Sequence, residues 1–96
     1  MKVEFSEVAR EQFRVAQEEL REESLQRSQR FAAEVRRVVK RLGRYPHVGH
    51  RVDEFRRMIL RRFPWSILYE VWADRVYITE LVHQHQEPDY WAADNE

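Results

Sequence analysis

Both glycines of the chain, Gly43 and Gly49, fall in one short stretch, Gly-Arg-Tyr-Pro-His-Val-Gly, with Pro46 between them. Nothing from Met1 to Leu42 is glycine or proline. Glycine and proline are the strongest local breakers of regular structure, so this loop divides the chain into two halves of different character. Before it, apolar residues recur at helical spacing. After it they crowd into runs rich in β-branched and aromatic residues.

In the first half, Val3 and Phe5 alternate with Lys2 and Glu4, which predicts a short strand. Ser6 is placed to cap a helix whose apolar stripe is Ala9, Phe13, Ala16 and Leu20, widened by Val8 and Val15. A second helix is expected from about Ser24, with Leu25, Phe31, Ala32, Val35, Val38, Val39 and Leu42 on its apolar face and Gly43 just beyond its end. The junction at Arg21–Ser24 has no breaker, so a hairpin competes with one long bent helix. In the second half, strands are expected at Val52–Leu60, Phe63–Val71 and Val76–Val82, with Pro64 at the start of the second because proline cannot donate to an interior ladder. The odd positions Phe63 to Val71 should pack under the helices. The expected fold is α+β over a single domain, residues 1–96. Its order is β-α-α-β-β-β, with a helical hairpin on a small, mostly antiparallel sheet.

Charge narrows the partners. Net charge is zero, yet residues 1–25 carry four basic and seven acidic residues, 26–62 carry twelve and three, and 63–96 carry one and seven. The central block could face nucleic acid or an acidic protein, or could simply be a solvated surface. The absence of cysteine rules out a disulfide framework and a thiolate metal site. No apolar run approaches the roughly 20 residues of a membrane span, and Met1–Arg10 lacks a signal-peptide core, so a cytoplasmic, non-membrane protein is expected.

The ordered set Arg57-x-x-Leu60, Phe63-Pro64, Ile67-x-Tyr69-x-Val71, Val76-x-Ile78, His83, Pro88, Tyr90 and Trp91 resembles the C-terminal half of RelE/ParE-superfamily toxins. Ala9, Phe31 and the Pro46-x-x-Gly49 loop extend the similarity over nearly the whole chain. The resemblance implies a helical hairpin on a sheet, no cofactor, and a cognate antitoxin held in a hetero-oligomer. It also implies one of two toxic activities: cleavage of messenger RNA on the ribosome, or inhibition of DNA gyrase.

RNA cleavage without metal needs a proton acceptor for the 2′-hydroxyl, a donor for the leaving oxygen and cations for the phosphate. The residues matching those roles are Arg57, Arg62 (or Arg61), His83 and Tyr90, with Arg57 and Arg61 sharing strand parity. The chain departs from the ribonuclease pattern in two places. It reads His83-Gln84-His85-Gln86 where the family often has arginines, and Asp94 where an arginine often follows the Tyr-Trp pair. A ParE-like, protein-targeting mode is therefore the favoured expectation. The ribonuclease is the alternative, and a degenerate antitoxin-binding member the second alternative.

His83 and His85 could share a strand face, but no third metal ligand accompanies them. The bland expectation packs His83 beside Trp91. His47 and His50 should be exposed in the loop. For antitoxin docking the candidates are the cations Arg36, Arg37, Lys40 and Arg56, with Trp72 as an exposed aromatic at a strand end.

Overall fold

The computed structural model describes residues 1–91, so Asp94 lies outside the described residues. The elements are β1 (Lys2–Phe5), α1 (Glu7–Glu23), α2 (Leu25–Arg44), β2 (His50–Val52), β3 (Phe55–Ile59), β4 (Trp65–Val71) and β5 (Arg75–His83), followed by a 3-10 turn at Gln84–Gln86. The strands form one sheet in the order β1-β5-β4-β3-β2. Only β1 runs parallel to its neighbour, β5; the other pairs are antiparallel. Two helices on a five-stranded mixed sheet agree with the expected α+β class.

A single serine decides between hairpin and bent helix. Ser24 is extended, with φ −166°. Its N–H donates to Leu20 O and closes α1, while its Oγ accepts from Arg27 N and opens α2. One residue thus satisfies orphan groups of both helices. Ser6 works similarly: its Oγ accepts from Ala9 N at 2.9 Å, and its own N–H and hydroxyl donate to Ile78 O and Thr79 O. The α1 cap is therefore stitched to β5.

Three expectations are corrected here. Val8, Val15 and Leu25, expected on the apolar faces of the helices, are exposed, because they lie at the margins of stripes whose centres already cover the sheet. Gly43 is not beyond α2 but inside it, and Tyr45 is the C-cap. Gly43 is small for a packing reason: a Cβ there would sit 3.0 Å from Met1 O, and its carbonyl accepts from the Met1 ammonium at 2.7 Å. The run Val52–Leu60 is not one strand but two. The chain reverses at Asp53–Glu54, with Asp53 in the left-handed region at φ 56°, a conformation aspartate tolerates better than most residues.

The main core lies between helices and sheet. Phe31 is at its centre, edge-on to Phe63 and Trp65 at ring distances of 5.4 and 5.5 Å and 6.3 Å from Phe13. Ile67 and Tyr69 are fully buried there, with Phe63, Trp65 and Val71 packed against them, so the odd face of β4 sits where its pattern places it. Tyr69 also pins the glycine loop. Its hydroxyl donates to Pro46 O at 2.7 Å and accepts from Gly49 N at 2.9 Å. A Cβ on Gly49 would lie 2.7 Å from that hydroxyl, so only glycine allows this approach. Burial pushes the Tyr69 phenol above its ordinary pKa and keeps it a neutral donor.

Candidate functional site

On the face of the sheet away from the helices, even-numbered β4 residues meet the chain end. Val52, Leu68, Val82 and Trp91 form a small second core, with Phe55 against it. Arg57 is sealed inside this layer. Its guanidinium is 1% exposed and donates to Glu87 Oε2 at 2.8 Å and to Trp91 O at 3.2 Å. It also lies 5.3 Å from the centroid of the Trp91 ring, within cation–π range. Glu87 Oε1 accepts from Ser66 Oγ. The result is a closed Arg57–Glu87–Ser66 network roofed by Trp91. Arg57 Nε and Trp91 Nε1 are buried without hydrogen-bond partners among the described residues.

The four residues matched to ribonuclease roles are not assembled at one centre. Arg57 is buried and ion-paired. Tyr90 is exposed, with its hydroxyl donating to Asp53 Oδ2 at 2.6 Å. Arg62 is in the turn between β3 and β4, with φ 65°, and lines a cleft against α2. His83 ends β5 and packs edge-on against Trp65 at 5.3 Å, not beside Trp91. The parity argument for Arg57 and Arg61 fails because β3 stops at Ile59. Arg61 then turns toward the helices and donates its N–H to Glu34. Nor do His83 and His85 share a strand face. His85 is in the 3-10 turn, stacked on His83 at 4.9 Å, and its N–H donates to His83 Nδ1. Among the described residues no group of three His, Cys, Asp or Glu is arranged to hold a metal ion.

The docking candidates divide. Arg36 and Lys40 stand exposed on α2. Arg37 forks onto Glu34 at 2.7 and 2.9 Å. Partial burial pushes the Glu34 carboxyl up, but the Arg37 guanidinium and the Arg61 N–H outweigh it and hold the group below the usual carboxylate range. Arg56 braces the glycine loop by donating to His47 O and Gly49 O. Trp72 is 42% exposed at the end of β4, stacked on Tyr77 at 4.4 Å.

The Arg57 network escapes a reading of sequence alone, because it depends on the tail folding back across the sheet. One signal was present. Ser66 is the lone small polar residue among the apolar residues of β4, and a buried hydroxyl asks for a partner.

A family model described as the ParE toxin of the type II toxin–antitoxin system parDE matches residues 3–88. The chain belongs to the ParE toxin family. As a ParE-family protein it is a toxin component of a type II toxin–antitoxin system. Among solved structures it is similar to "Chromosomal ParDE TA system from P. aeruginosa", with a TM-score of 0.68 and 18% identity over 86% of this chain and 95% of that one. At that identity the likeness concerns the fold, and the two share helices on a sheet. No curated protein sequence matches. Among the described residues of this ParE-family toxin, no helix is long and apolar enough to cross a membrane.

Proposed function

We propose that this ParE-family toxin poisons a protein target in the cytoplasm, DNA gyrase on the family resemblance, and does not cleave RNA. A cognate antitoxin neutralises it in a hetero-oligomer. The observation that carries this reading is the fate of Arg57. A cation that stabilises phosphate in a transition state must meet the substrate. Arg57 instead spends its hydrogen bonds on Glu87 and on the Trp91 carbonyl, beneath an aromatic cover. Of the other matched groups, His83 packs against Trp65, Arg62 lines the cleft against α2, and the Tyr90 hydroxyl donates to Asp53.

The test is induction of the gene alone in a bacterial culture. Growth should stop, and co-expression of the antitoxin should restore it. Purified protein should inhibit gyrase supercoiling and leave ribosome-bound message uncut in a translating extract. Codon-specific cleavage in that extract would overturn the reading. Normal growth with soluble toxin in the cells would favour a member that binds antitoxin without poisoning.

For the antitoxin dock we retain the exposed pair Arg36 and Lys40, with Trp72 as an aromatic contact; Arg37 is engaged by Glu34 and Arg56 by the His47 and Gly49 carbonyls. Because Arg37 is committed to Glu34, the clean reversal is Arg36→Glu with Lys40→Glu. It should weaken antitoxin affinity at least about tenfold in a calorimetric titration, through loss of electrostatic complementarity. Unchanged affinity would move the dock off this face.

A further inference from the structure

Arg27, Arg30, Arg37, Arg41 and Arg44 recur at intervals of three, seven, four and three residues. On a helix of 3.6 residues per turn this places them along one flank of α2, about 26 Å from end to end. Arg36 and Lys40 fall on the neighbouring flank. At the N-terminal end of the row, Arg61 and Arg62 face the helix across a cleft of about 600 Å³ floored by Phe63. At the other end, Arg41 and Arg44 border Tyr45 and His47.

Little in the protein neutralises this row. Glu34 is its one carboxylate, and Arg37 already claims it. Arg27 has Glu23 at 3.6 Å. Arg30, Arg41, Arg44 and Arg62 make no ion pair among the described residues. The acidic residues of α1 instead hold one another's cation, as Glu11 and Glu18 both do with Arg14. The molecule is thus neutral overall but electrically two-sided.

We propose that this flank binds the sugar–phosphate backbone of duplex DNA, without sequence preference, as an activity separate from the toxin's action on its protein target. Two features favour a phosphate backbone over an acidic protein. Protein interfaces are built on a core of apolar or aromatic anchors. Within α2 the one large exposed apolar side chain is Leu25, at its first position, while the row itself exposes Arg27, Arg30, Arg41 and Arg44. Backbone recognition needs only positioned cations and donors. A duplex also suits the row better than a single strand. Single-strand binders line a groove with successive stacking aromatics. This row follows one continuous helix with a single exposed aromatic, Tyr45, at its end.

The experiment is fluorescence anisotropy of a labelled 30-base-pair duplex of arbitrary sequence, titrated with the full chain between 50 and 200 mM salt. Neutralising about five phosphates predicts a slope of log affinity against log salt of about −4.5. Arg30→Glu with Arg62→Glu should weaken binding at least tenfold and flatten the slope by about 2. Arg10→Glu with Arg21→Glu, the same change in net charge placed on α1, should weaken it less than threefold. Circular dichroism checks that both variants fold. Absence of binding at 50 mM salt, equal loss in both double variants, tighter binding of a single strand of equal length, or displacement of the duplex by a polyglutamate peptide at matched charge would each overturn the proposal.

Discussion

Arg57→Ala lowers the stability of the protein by about 3 kcal/mol and its thermal midpoint by roughly 12–24 °C. The size follows from what the substitution strands. Glu87 is left mostly buried with only Ser66 to answer its charge, the Trp91 carbonyl loses its donor, and the Trp91 ring covers a void. A salt bridge at the surface would contribute far less. The same reasoning makes Glu87→Ala destabilising, because it isolates a fully buried guanidinium. The double variant Arg57→Met with Glu87→Gln should recover most of the loss, since a buried pair can often be replaced by well-packed groups of similar volume at little cost. Differential scanning calorimetry on the three variants reads this directly. A shift of under about 2 °C for Arg57→Ala would mean that the tail is not held as described.

Phe31→Ala is expected to cost about 3–5 kcal/mol. Phe31 is 1% exposed and joins both helices to the sheet through Phe13, Phe63 and Trp65. A domain of this size has on the order of 5–14 kcal/mol in total, so the variant forfeits a large share of it and its thermal midpoint should fall by roughly 12–40 °C. Phe31→Leu keeps most of the volume and should cost less than half as much. Urea titration separates the two cases, and a loss below about 1 kcal/mol for alanine would contradict the placement of Phe31 at the centre of the core.

Phe31 also shows what a sequence makes legible. Helical spacing puts it on the apolar face of α2, and period two puts Ile67 and Tyr69 on one face of β4. Both are local consequences of backbone geometry, and both hold. The breaks are less legible where the break chemistry is subtle. Asp53 reverses the chain without glycine, and the apolar alternation on either side of it reads as one strand. Gly43 looks like a helix stop, but its role is to admit the backbone of Met1, a contact between distant parts of the chain. Arg57 is the clearest case. Motif matching makes an arginine at that position a candidate for contact with substrate. Its burial depends on Glu87 and Trp91 returning across the open face, 30 and 34 residues later. No periodicity encodes that return.

The order of the strands carries a consequence for how the toxin comes into being. β5 sits between β1 and β4, so the strand in the interior of that end of the sheet is the last to be synthesised. Val3 pairs with Val76 and Phe5 with Ile78, which closes a loop of most of the chain. Contacts this distant in sequence must wait for their partners and slow the folding step that forms them. On a ribosome adding about 5–20 residues per second, β1 and the helical hairpin therefore emerge without their strand and spend several seconds as an incomplete domain. A domain of this topology cannot close until its last strand has emerged, so whatever surface depends on the finished sheet exists only at the end of synthesis.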